Sequence, residues 1–139
     1  MAAGADILDI GGESTRPGAK PLWPEEERRR VIPVIEGLAG SGAMISVDTR
    51  RAEVMAAALK AGAHIINDVS ALGYDDQSLD LAREAAVPVI LMHARGEPAR
   101  MQDDPRYSHV LHDVYRWLDA RIRLCLDHGI DSGRLIIDP

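Results

Sequence analysis

Ile45-Ser46-Val47-Asp48-Thr49-Arg50-Arg51-Ala52-Glu53-Val54-Met55-Ala56-Ala57-Ala58-Leu59-Lys60-Ala61-Gly62-Ala63-His64-Ile65-Ile66-Asn67-Asp68-Val69 is the stretch on which the fold turns. It opens with a short apolar run ending in a carboxylate, crosses an Ala-rich segment, and closes with a second apolar run bearing Asn67 and Asp68. Alanine has the highest helix propensity, and a glycine just past the last turn accepts the left-handed backbone that ends a helix. Residues 51–60 therefore read as a helix stopped by Gly62, between strands at 43–47 and 64–69. Apolar runs without strict alternation suit strands buried on both faces, as parallel strands joined through a helix are. The unit is strand–helix–strand.

The same alternation extends in both directions. Further strands are predicted at Asp6–Ile10, Val87–Met92 and Leu135–Ile137. Helices are predicted from Pro24 to Ala39, Gln77 to Ala86 and Tyr107 to His128. Pro24 suits a first helical position, Glu25, Glu26 and Glu27 favour the positive end of the helix dipole, and Pro33 should kink or divide that helix. Val31, Ile32, Ile35 and Leu38 form its apolar stripe, and Gly129 is the expected stop of the longest helix. Short connections between alternating elements imply right-handed crossovers and a parallel sheet.

Polar residues then choose between an open sheet and a barrel. Glu13, Asp48, Asn67 with Asp68, His93 and Asp138 lie at or just past successive strand ends. In a β/α barrel those ends converge on one pocket, whereas an open sheet binds mainly at a switch point, and no GxGxxG loop marks one here. The expected fold class is α/β, a partial TIM (β/α)8 barrel with about five parallel strands alternating with helices. A complete barrel needs eight units and roughly 250 residues, so 139 residues make one domain, 1–139, incomplete at both ends.

Composition narrows the function classes. A formal charge of −6 argues against a nucleic-acid surface. No apolar run approaches the ~20 residues that span a bilayer, so no membrane role is expected. The single Cys125 has no internal disulfide partner, which fits a reducing cytoplasm, and its place in a helical pattern favours a core role.

The most chemically specific segment follows the first strand: Ile10-Gly11-Gly12-Glu13-Ser14-Thr15-Arg16-Pro17-Gly18-Ala19. A strand here delivers a polar loop with a carboxylate, two hydroxyls and a guanidinium to one end of the sheet. Pro17 stiffens it, fixing its own φ and restricting Arg16. Such a loop suits a small anionic or polar ligand. Together with the blocks ISVDTRRAEVMAAALKAGAHIINDVSAL, PVILMHARGEPARMQ and LIIDP, it resembles dihydropteroate synthase, in that family's order and spacing.

What the resemblance implies is concrete. The family joins 6-hydroxymethyl-7,8-dihydropterin pyrophosphate to 4-aminobenzoate, giving 7,8-dihydropteroate and pyrophosphate, and is inhibited by sulfonamides. Asp48, Asn67 and Asp138 match positions that line the pterin pocket, with Met92 against the pterin face. A carboxylate can accept the ring's N–H donors, and an asparagine offers both a donor and an acceptor. Asp48 and Thr49 also suit an N-cap for the following helix. Thr15, Arg16 and Pro17 match the loop over aminobenzoate and pyrophosphate, where Arg16 would give charge-assisted bonds to an anion. They also read as ordinary loop residues.

Glu13 and Asp9 read as braces rather than as an acid and base. His93 reads equally as a packed histidine or a ligand contact. His109 and His112, three apart on a helix, lack a carboxylate or cysteine partner for a metal, and the Glu25–Arg30 run reads as a solvated face. By resemblance the complete enzyme uses Mg²⁺, held by an Asn of a first strand loop that this chain does not include, and forms a homodimer. This chain offers no metal site, and its expected partners are the two small substrates. Alone, it is expected to be inactive. The competing readings are a methyltetrahydrofolate-binding methyltransferase domain and a non-catalytic pterin-binding remnant.

Overall fold

The computed structural model describes residues 4–14, 20–94 and 107–139. Its elements are β1 (Ile7–Gly11), α1 (Pro24–Leu38), β2 (Met44–Asp48), α2 (Ala52–Ala61), β3 (Ile65–Asp68), α3 (Ser78–Ala85), β4 (Val89–Met92), α4 (Val110–Asp127), a 3₁₀ turn at Ser132–Arg134, and β5 (Leu135–Asp138). All five strands are parallel and neighbour one another in chain order. A doubly wound sheet reverses its strand order at a switch point; this sheet runs in one direction throughout, as in a β/α barrel.

One face of the sheet carries the helices. Ile45 and Val47 of β2 pack with Val31 and Ile35 of α1 and with Ala58. Ile66, Val89 and Leu91 pack with Met55, Ala82 and Cys125 in a second cluster. Because side chains alternate along a strand, burying these residues under helices sends their neighbours to the opposite face. Those neighbours are Asp9, Ser46, Asp48, Asn67, Ile90, Met92, Ile136 and Asp138.

Two expectations change on inspection. Pro33 does not divide α1, which is a single helix from Pro24 to Leu38. Pro33 and Arg29, whose carbonyl loses its helical donor, are both exposed, so that carbonyl is not sealed away from solvent. Asp48 does not cap α2. That helix begins at Ala52, and Asp75, from the loop after β3, accepts the Ala52 amide at 2.9 Å. The glycine stops hold: Gly62 has φ 116° and Gly129 has φ 83°.

Candidate functional site

The polar face is ordered in layers set by strand register. Asp9 lies opposite Ser46, and Ser46 opposite Ile65. One layer nearer the C-terminal strand ends, Gly11, Asp48, Asn67, Ile90 and Ile136 form a continuous row. The last layer pairs Met92 with Asp138. Asp48 and Asn67 are thus adjacent, while Asp138 sits two strands further round and one layer higher. The His93 amide donates to the Asp138 carbonyl at 2.8 Å, tying the ends of β4 and β5. Asp68 belongs to the other face; fully buried, it accepts bonds from the Ser70 amide and hydroxyl and the Leu72 amide. That turn holds Ala71 and Leu72 at φ 51° and 60°, a backbone uncommon outside glycine, and Arg121 grips the Ala71 carbonyl at 2.9 Å.

Asp9 and Asp48 lie in the first two layers of this face, and Asp68 and Glu27 add negative charge nearby. Burial pushes the Asp48 carboxyl up to about 7, helped by the nearby negative charges of Asp9, Asp68 and Glu27, against opposition from Arg50. Burial also raises Asp68, although its hydrogen bonds pull the other way. Asp9 accepts from the Ser46 hydroxyl with one oxygen and, at 3.1 Å, from Nδ2 of Asn67 with the other. Asp48 therefore stands in a site that disfavours its charge and welcomes a ligand able to donate hydrogen bonds or bring positive character.

Beside this face lies a buried ion network. Glu13, just past β1, accepts from Nη2 of Arg50 at 2.8 Å and Nη2 of Arg51 at 2.8 Å. Arg51 also donates to the Leu22 carbonyl at 2.9 Å and to Glu27 of α1. The Leu22 amide donates to Glu13 at 2.7 Å, so Glu13 and Arg51 together join the two stems of residues 14–21. Burial alone would raise the Glu13 carboxyl, but bonds from Arg51, the Leu22 amide and Arg50 outweigh it and hold it below its usual range. The guanidinium of Arg50 lies 4.1 Å over the Tyr74 ring, which reaches in from the β3–α3 loop. Glu13 is a brace, as its sequence position suggested. Glu27 is a correction: the charge run was expected to be a solvated face, yet Glu27 is wholly buried because Arg51 meets it there.

The remaining candidates divide plainly. Met92 and Asp138 share the polar face. His93 packs edge-on to Trp117, with ring centroids 5.2 Å apart. His109 is the N-cap of α4, accepting the His112 amide at 3.4 Å, and the two rings stack. Thr15, Arg16 and Pro17 lie outside the described residues. Sequence reasoning passed over Ser46, Arg50 and Arg51, although two cations straight after a strand-end carboxylate were a readable sign of a rim ion network.

Known proteins share this fold. The family model described as pterin binding enzyme matches residues 1–139. Dihydropteroate synthase of Escherichia coli is 46% identical over 138 residues, covering 99% of this chain and 49% of that protein. The structure of Xanthomonas albilineans dihydropteroate synthase with 4-aminobenzoic acid superposes with a TM-score of 0.91 at 51% identity, covering 99% of this chain and 48% of the other. That of Burkholderia cenocepacia dihydropteroate synthase complexed with 7,8-dihydropteroate gives a TM-score of 0.90 at 44% identity, covering 99% and 49%. The chain spans about half the length of the relatives it matches. With the family model matching residues 1–139, the chain belongs to the pterin-binding enzyme family.

Proposed function

We propose that the protein carrying this chain is a dihydropteroate synthase, and that residues 1–139 supply the pterin side of its active site within a single barrel domain. The adjacent register of Asp48 and Asn67 on the polar face carries the reading. A flat pterin laid along that row meets the Asp48 carboxyl as acceptor for a ring N–H and the Asn67 amide as a mixed donor and acceptor. Asp138 offers a second carboxylate across the sheet, and the Met92 thioether a polarisable surface for the ring face. With Asp48 raised to about 7, its proton can be surrendered as an N–H donor arrives, so the site need not hold a bare buried charge beforehand.

In the reaction the bond between the pterin methylene and the pyrophosphate oxygen breaks. A bond from that carbon to the aminobenzoate nitrogen forms, and the nitrogen loses one proton. The electron pair of the broken bond leaves with pyrophosphate. Holding the pterin against three polar side chains orients the methylene and excludes water from one side. Residues 14–21, whose stems Glu13 and Arg51 join, carry Thr15, Arg16 and Pro17 for aminobenzoate and pyrophosphate.

Magnesium serves the departing pyrophosphate in this family reading. Among the described residues no group of three or more His, Cys, Asp or Glu is placed to hold it, so no step here passes through the ion. Among the described residues no helix is long and apolar enough to cross a membrane. A cytoplasmic homodimer working on small substrates completes the proposal. The test is turnover by the full-length protein: 7,8-dihydropteroate formed from the two substrates, with sulfonamide competing against 4-aminobenzoate. Failure of Asp48→Ala and Asn67→Ala to weaken pterin binding would reject the site assignment.

A further inference from the structure

Asp9 lies one layer below Asp48 and is not among the expected pterin contacts, yet it hydrogen-bonds directly to Asn67, which is. The group that Asn67 turns toward Asp9 is its amide nitrogen, a donor facing a carboxylate oxygen. The 3.1 Å contact is between Nδ2 and an Asp9 oxygen, and Asp9 in turn is held by the Ser46 hydroxyl from the strand between them. The register puts Asp9 level with Ser46 and Asn67 level with Asp48, so the hydrogen bond runs diagonally across β2 from one layer to the next. With one Nδ2 proton committed, Asn67 keeps Oδ1 and one N–H to offer a ligand, in a fixed left-to-right order. A flipped amide would offer the reverse order.

We propose that Asp9 is a positioning residue that acts through Asn67, locking its amide so that the site accepts a ligand edge pairing an N–H donor with a ring-nitrogen acceptor in one order and rejects the reverse. The inference rests on the pterin reading above and deepens it. In this chain the Asp9–Asn67 bond is exposed to solvent, and the discrimination arises when a bound ligand covers it and a mismatched edge leaves a polar group unpaired away from water. The Asp9 bond therefore contributes through discrimination as well as through strength. Ser46 shares in this by holding the carboxylate, and has no direct bond to Asn67.

The test is a double-mutant cycle in the full-length polypeptide, read as calorimetric affinity for 6-hydroxymethylpterin. Asp9→Asn, which is isosteric but lets the side chain donate as well as accept, is expected to weaken binding by roughly 10-fold to 100-fold, the scale of a hydrogen bond to a charged group. In the Asn67→Ala background the same change is expected to cost less than about 2-fold, because there is no amide left to orient. Equal losses in the two backgrounds, or no loss in either, would overturn the proposal. If the unaltered protein binds no pterin, the functional reading and this inference fall together; if it binds and Asp9→Asn is silent, only the inference falls. A second measurement needs no substitution. In the ligand-free protein one Nδ2 proton of Asn67 should exchange with solvent more slowly than its partner, and two equally fast protons would count against the lock.

Discussion

At the scale of single residues, the polar rim is governed by which charges are paired and which are not. Arg51 serves Glu13, Glu27 and the Leu22 carbonyl at once, with Nη1 donating to Glu27 and Nη2 to Glu13 and Leu22, a spread of donors over two nitrogens that a single ammonium nitrogen lacks. Replacing it by methionine leaves Glu27 charged in a fully buried position, and Arg51→Met is expected to cost about 3–5 kcal/mol, the range for breaking one half of a buried pair. Urea denaturation of the two proteins measures it, and a loss under ~1 kcal/mol would show that Glu27 escapes to water. Asp48 has the opposite character. Between its usual 3.8 and about 7 the folded chain holds a proton that the unfolded chain has released. The stability tied to that proton is full below the lower value and is lost as pH rises through the upper one. Asp68 moves in the same direction, whereas Glu13, held low, loses its contribution as pH falls toward 4.5 and below. From about pH 5 to about pH 8.5 the melting temperature of the unaltered protein should therefore decline more steeply than that of Asp48→Asn. Parallel curves would mean that Asp48 is already ionised.

At the scale of elements, β1 meets α1 through Gly12. A Cβ built there would lie 2.8 Å from Val31 Cγ2 and 3.0 Å from the Glu27 carbonyl, so the helix can approach only because that side chain is missing. Gly12→Ala is expected to cost about 1–3 kcal/mol as an overpacking change. The same denaturation experiment reports it, and an unchanged midpoint would show that α1 shifts freely. How much of this was readable follows from where each determinant sits along the chain. The end of α2 was legible because Gly62 lies beside it, and strands β1 to β5 were legible to within a residue or two because their apolar runs are local. The cap of α2 was not: it comes from Asp75, 23 residues after Ala52, and only the folded β3–α3 loop brings it there. Glu27 was misread for a related reason. Its neighbours Glu25 and Glu26 pair with Arg29 and Arg30 at helical spacing on the solvent side, and nothing local distinguishes the one glutamate that turns toward Arg51. Asp48 and Asn67 were found as strand ends, but Asp9 as the group orienting Asn67 depends on register, which a single strand does not reveal.

At the scale of the whole molecule, the chain-order sheet leaves β1 and β5 each paired on one side only among the described strands. Ile136 is 45% exposed and Ile137 51% exposed on that last strand, while Leu111 and Tyr115 of α4 are 70% and 69% exposed. An unpaired parallel strand offers free backbone donors and acceptors, and apolar side chains beside it make that edge adhesive. The proposed barrel would cover both edges and bring further strand ends to the ring around Asp48, Asn67 and Asp138. Residues 1–139 expressed alone are accordingly expected to form 7,8-dihydropteroate at no measurable rate and to self-associate, broadening in sedimentation velocity and binding a hydrophobic dye. The full-length protein should sediment as one discrete species, bind little dye and turn over. Pterin affinity separates the two causes of inactivity. If the isolated chain is monodisperse and binds pterin with full affinity yet stays inactive, the missing element is the chemistry around pyrophosphate rather than the integrity of the pterin pocket. If it aggregates and loses pterin as well, closure of the sheet is what holds the Asp48–Asn67 row in place.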